Sequence, residues 1–216
     1  MKSSTTYVWL LMTLIACHPS PSNESRVASL PFYNEATFSP KWISPADGML
    51  DTFHRIPPFS LINQEGEVVT EKTFADKIYV VDFFFTICPG ICPKMTANMM
   101  ILQEEFLQDE EVLLMSHSVT PESDSVPVLK RYAEDKGIES HTWHLVTGDK
   151  QEVYRLGRQE YFVEEDLGLQ KEDYEFLHTE NFVLIDRDRH IRGIYNGLNK
   201  SSVAQLIADI HTLKQE

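Results

Sequence analysis

Cys88 and Cys92 stand four residues apart in the stretch Val80 to Met95, VVDFFFTICPGICPKM. Two thiols at that spacing have two chemistries open to them, because a thiolate either binds a metal ion or attacks a disulfide. The elements that must position them are legible on either side. Ile78 to Phe85 is apolar except for Asp82 and rich in β-branched and aromatic residues, and it is too short to span a membrane. It predicts a central, buried strand. Pro93 and a helical pattern follow the second cysteine, so both thiols fall on a strand-to-helix turn, where reactive groups are commonly carried. Proline suits the first turn of a helix, so Pro93 places the helix start near Cys92, with Gly90 letting the loop bend. A start at Cys88 would leave a kink at Pro93. In both cases the thiols lie by a helix N-terminus, whose partial positive charge favours thiolate.

Composition narrows the setting. The 216 residues suit one domain plus extensions. They carry 33 acidic against 19 basic side chains, a net charge of −14, with no Lys/Arg cluster. Nucleic acid is excluded as a partner, since phosphate contacts need a basic face. Lys2, an apolar segment from Tyr7 to Ala16, then Cys17 and a polar Pro/Ser-rich stretch match an export signal. Leu14, Ile15, Ala16 and Cys17 resemble the bacterial lipobox, in which the cysteine is lipidated and becomes the mature N-terminus; a plain secretory signal is the alternative. The expected organisation is a lipoprotein signal over 1–17, a tether and N-terminal extension over 18–49, and a folded domain over 50–216. The domain is then expected outside the cytoplasm, facing the periplasm or cell exterior on a lipid anchor. Of the three cysteines, lipid consumes Cys17 and leaves Cys88 and Cys92 in a compartment where disulfides form. A bridge across so short a loop stabilises little, which favours a functional role for the pair.

The rest of the chain reads as alternating elements. Residues 18–29 are polar and Pro/Ser-rich, as in a flexible tether, and Leu30 to Met49 is aromatic enough to pack on the domain. Ile56 to Ile62 and Glu67 to Val69 predict a β-hairpin with Gly66 at its turn, and Thr70 to Asp76 a short helical turn. Met95, Met99, Leu102 and Phe106 recur at spacings of four, three and four, the apolar face of a helix ending near Gln108. At that spacing the methionines read as core and not as soft copper ligands. Strands follow at Val112–Val119 and Trp143–Val146, and helices at Ser125–Lys136, stopped by Gly137, and Asp149–Arg158. Gln159 to Leu177 is long and acidic and reads as a loop insertion. Phe182–Ile185 and Ile191–Tyr195 predict a last hairpin, and Val203 to Leu213 an amphipathic helix. The class is α/β, a mixed central sheet flanked by helices on both faces.

CPGICPKM after a hydrophobic strand, SVTPESDSV after the next, then WHLVTG and HTENFVLIDRDRHIRGIYNG near the end resemble the Sco/SenC family, in order, from Pro57 onward. That resemblance implies a thioredoxin-like fold in a membrane-tethered, extracytoplasmic protein that binds copper. It implies service in assembling the dinuclear copper centre of cytochrome c oxidase, with a respiratory oxidase copper subunit or another copper client as partner. The family's two cysteine ligands fall on Cys88 and Cys92, and its histidine ligand on His178. Two thiolates and an imidazole suit copper and would also accept zinc, and three protein donors leave a position open for handing the metal on. The acidic loop must then fold back over the cysteine turn. Spacing alone does not select His178 from the other seven histidines. His141 and His144 have ligand-like spacing but no third partner and read as surface. Two departures from the family pattern bear on affinity and redox behaviour: Leu177 and Thr120 stand where many members carry acidic residues.

VDFFFTIC also resembles the thioredoxin strand VDFWAEWC, with Asp82 six residues before the first cysteine. A buried carboxylate there would have a raised pKa and could act as a general base; otherwise the acid reaches solvent or a polar partner. This supports a second reading, a thiol-disulfide reductase with Cys88 attacking and Cys92 resolving. Against it, no proline follows Pro127, whereas thioredoxin-like oxidoreductases carry a cis-proline before a late strand.

Overall fold

The computed structural model describes residues 24–44, 48–164, 177 and 179–216. Seven strands form one sheet in the order β2-β1-β5-β4-β3-β6-β7. Its centre is β3 (Ile78–Phe84), β4 (Val112–Ser118) and β5 (Trp143–Thr147), all parallel. Every residue of β3 and β5 is buried, which explains why they read as near-continuous apolar runs without alternation. The flanks are antiparallel. β1 (Ser60–Asn63) joins β5 and pairs with β2 (Val68–Thr70), while β6 (Asn181–Ile185) joins β3 and pairs with β7 (Ile191–Asn196). Gly66 turns the first hairpin with φ 80°, a left-handed conformation that costs glycine least.

Helices cover one face. α1 (Cys92–Phe106) buries the predicted stripe of Met95, Met99, Leu102 and Phe106, and Cys92 with it. Both methionines lie at zero exposure in the core, as their helical spacing implies. α2 (Val126–Lys136) and α4 (Lys200–Leu213) add Leu129, Ala133, Val203, Leu206 and Ile210 to the same core. The other face is closed by Ile56, Phe59, Phe74, α3 (Lys150–Arg155) and the segment that follows it. The predicted helix over Asp149–Arg158 divides: α3 ends at Arg155 and a π turn runs Leu156–Glu160. A fully buried large apolar side chain contributes about 1.5–3 kcal/mol, so this two-sided burial is the main source of stability.

The N-terminal segment packs on the domain only in part. Leu30 and Phe32 are buried, and Tyr33 N–H donates to Ile191 O at 3.0 Å, while Trp42 is 64 % exposed. Arg192 holds this strap in place. Its guanidinium is buried, pairs with Asp186 at 3.1 Å and with Glu216, donates to the carbonyls of Leu30 and Pro31, and lies 4.0 Å over the Phe32 ring. No helix among the described residues is long and apolar enough to cross a membrane. The signal and lipidation assignments over 1–17, Cys17 included, lie outside the described residues.

Candidate metal centre

β3 delivers its end into the loop Phe85–Ile91, and α1 opens at Cys92 with Pro93 in its first turn, the start that the proline implies. Cys92 is buried in the α1 core and Cys88 half-buried beside it; both are free thiols. The loop is fixed at its base by Asp124, itself fully buried. Its carboxylate accepts from Thr86 Oγ1 at 2.6 Å, Thr86 N–H at 3.3 Å, Ser118 Oγ at 2.6 Å and Thr120 Oγ1 at 3.1 Å, tying the ends of β3 and β4 together two residues before Cys88. Sequence reasoning missed Asp124. It stands in the acidic, serine-rich turn TPESDS, where nothing in the spacing separates a buried acid from a solvated one.

The two thiols differ in acidity. Burial alone would raise Cys88, but hydrogen bonds from the Cys92 thiol and from the backbone N–H groups of Cys92, Gly90 and Ile91 outweigh it and bring its pKa below the usual value. Cys92 is pushed upward by burial first, then by the hydrogen bond and charge of Cys88, with a smaller push from Asp82. The pair is therefore biased toward a Cys88 thiolate that receives a hydrogen bond from the Cys92 thiol. This is the helix N-terminus effect expressed as individual N–H donors.

Asp82 satisfies both sequence alternatives at once. It is 2 % exposed, its pKa is pushed up to about 7 by burial, and it has a polar partner in the Ser116 hydroxyl, which donates to it and accepts from Trp143 Nε1 at 2.8 Å. His117, next in β4, faces the opposite side of the sheet. It is fully buried and stacked on Phe83 at 4.6 Å, and among the described residues its ring makes only a poorly formed hydrogen bond, to the Asp82 backbone. Burial holds its pKa down to about 3.

Of the proposed donors, Cys88 and Cys92 come together, and His178 lies outside the described residues. Among the described residues no cluster of three or more His, Cys, Asp or Glu side chains is arranged to hold a metal ion. The neighbours of position 178 are placed: Leu177 is fully buried and Thr179 leads into β6. β6 runs antiparallel beside β3, so the start of β6 and the end of β3 occupy the same end of the sheet as the cysteines. The surface assignment of His141 and His144 is half corrected. His141 is exposed, but His144 is buried within β5, its Nδ1 3.4 Å from Asn63 Nδ2, because β1 covers the strand edge that the sequence leaves open.

A parallel three-strand centre with paired cysteines at the turn from β3 into α1 defines a thioredoxin-like protein with a cysteine pair at that turn. The SCO1/SenC family model matches residues 48–215, and the chain belongs to that family. It is 30 % identical over 161 residues to the SCO1 protein homolog of Bacillus subtilis, covering 73 % of this chain and 81 % of that one. Among solved structures, the SCO1/SenC family lipoprotein of Bacillus anthracis superposes with a TM-score of 0.65 at 27 % identity, covering 74 % of this chain and 95 % of that one. BsSco, a member of the Sco family of cytochrome c oxidase assembly proteins, superposes at 0.62 and 27 %, covering 74 % and 93 %. Bradyrhizobium japonicum ScoI with copper bound superposes at 0.56 and 25 %, covering 71 % and 97 %.

Proposed function

We propose that this protein is an extracytoplasmic, lipid-tethered copper metallochaperone that assists assembly of the dinuclear copper centre of cytochrome c oxidase. Copper is its cargo, held by Cys88 and Cys92 as thiolates and by His178, and Cys17 carries the lipid. The observation that carries the reading is the thiol pair at the start of α1, where Cys88 is already biased toward thiolate and Cys92 lies within hydrogen-bonding reach of it. Both thiols must be reduced before loading, and metal binding releases their protons. The copper-bound relative and the oxidase-assembly relative support the cargo and the client.

Thiol-disulfide reduction of a client's copper-binding cysteines is the second reading, favoured by the unequal acidity of the thiols. In it Cys88 attacks, Cys92 resolves, and Asp82 stands behind Cys92. Anaerobic titration of the reduced chain with copper separates the two. His178→Ala is expected to weaken copper binding sharply while leaving exchange with a small disulfide nearly unchanged. Retention of full copper affinity in that variant would favour the reductase.

A further inference from the structure

The parallel ladder between β3 and β4 closes at Phe84, whose carbonyl accepts from Val119 N–H at 2.9 Å. Thr86 lies beyond that ladder, and its N–H donates instead to the Asp124 carboxylate, as its hydroxyl does. The same carboxylate takes the hydroxyls of Ser118 and Thr120, so four donors converge on one fully buried acid. Asp124 is held in its turn by its own N–H, which donates to Thr120 O at 2.9 Å. A buried carboxylate is tolerated only where donors surround it, and here two of the four come from Thr86, at the base of the thiol loop. From Thr86 the chain runs on to Cys92, which is locked in the α1 core. Between these two anchors the loop is thinly packed: Ile87 is 73 % exposed, and a Cβ at Gly90 would meet nothing within 4 Å. A segment with so few contacts of its own takes its shape from its ends. Cys88 and the N–H groups of Gly90 and Ile91 that turn toward its sulfur all ride on it.

We propose that Asp124, acting through Thr86, is a positioning residue for Cys88. It moves the fixed end of the thiol loop two residues beyond the strand, and so holds the Cys88 sulfur beside Cys92 before copper or a disulfide bond joins them. This rests on the reading of Cys88 and Cys92 as the working pair and requires no third donor. Preorganised donors bind more tightly because less freedom is lost on binding. A group that orients a metal ligand without touching the metal typically changes affinity by about 10- to 100-fold when removed. The same preorganisation favours closing the disulfide.

The test measures two constants: Cu(I) affinity of the reduced chain, by partition against a chromophoric chelator, and the Cys88–Cys92 dithiol–disulfide equilibrium in glutathione buffers. Asp124→Ala is expected to bind copper about tenfold more weakly. Its disulfide is expected to be disfavoured by a similar factor, about 30 mV in potential for two electrons. Thr86→Val, which removes one donor on the loop side, is expected to shift both constants in the same direction. Ser118→Ala removes one donor on the β4 side and is expected to shift them by less. Asp124→Asn can keep all four contacts, its amide oxygen accepting where Oδ2 does and its NH2 donating to Thr86 Oγ1, and is expected to restore both constants. Wild-type constants in a folded Asp124→Ala protein, or a shift in Ser118→Ala as large as in Thr86→Val, overturn the proposal. Should Asp124→Ala not fold, Thr86→Val decides, and unchanged constants there overturn the proposal equally. Failure of Asp124→Asn to restore them assigns the effect to charge and overturns it too. Cys88→Ala separates the two levels. Normal copper affinity there removes the copper reading, and the disulfide equilibrium alone then judges Asp124; weakened affinity there beside wild-type constants in Asp124→Ala removes the proposal alone.

Discussion

Asp82 and Ser116 face each other on adjacent parallel strands, the serine hydroxyl donating to a buried carboxyl. The carboxyl's pKa rises from 3.8 to about 7 because burial penalises its charged form. Across that window the folded chain holds a proton that the unfolded chain has lost, so this group's contribution to stability falls as pH rises from 3.8 to about 7 and is constant above. Asp82→Asn is expected to flatten that part of the profile and to be the more stable protein above pH 7 by a few kcal/mol. Denaturant midpoints of both proteins at several pH values check it; parallel profiles would mean that Asp82 titrates normally.

Cys88 and Cys92 are expected to alkylate in sequence. Cys88 is half-buried with a lowered pKa, while Cys92 is 5 % exposed with a raised one, and only thiolate reacts. Timed iodoacetamide labelling of the reduced chain at pH 7, followed by peptide mass spectrometry, should find Cys88 modified well before Cys92. Equal rates would remove the asymmetry on which the reductase reading depends.

His117 places a neutral imidazole, only weakly hydrogen-bonded to the Asp82 backbone, against Phe83 and Tyr161. Replacing a buried polar group by an apolar one of similar shape removes a desolvation cost of about 1–3 kcal/mol. His117→Phe is therefore expected to raise the melting temperature by several degrees. A lower melting temperature would show that the bond to the Asp82 backbone outweighs the cost of burying the ring.

Arg192 is expected to be the clasp of the N-terminal strap. Arg192→Met keeps the apolar contact with Phe32 but removes the ion pairs with Asp186 and Glu216 and the bonds to Leu30 O and Pro31 O. Breaking a buried pair typically costs about 3 kcal/mol. Limited proteolysis should then cut within residues 24–44 much faster than in wild type. An unchanged cutting rate would assign the hold to Phe32 packing instead.

The central strands, α1 with its proline start and both hairpins were legible because each follows from local apolar patterning and turn residues. Asp124, Ser116 and Arg192 were not. Arg192 meets Leu30 across 162 positions and Asn63 meets His144 across 81, and hydrophobic period carries no trace of such pairings. Asp82 shows the boundary clearly. Its place on a buried strand was readable, but which neighbour met it depended on the register Asp82↔Ser116. Of the π turn, Leu156–Arg158 reads as plain helix because helical spacing is kept and only the hydrogen-bond pattern changes, while Gln159 and Glu160 read as the start of the loop.

The strap meets Ile191 where β7 begins, beside the turn after β6 and hence at the opening end of β3. The sulfur atoms leave from the other end of that strand, seven residues or roughly 20 Å farther on. The bridge between Tyr33 and Ile191 therefore grips the end of the sheet that lies away from the thiol turn.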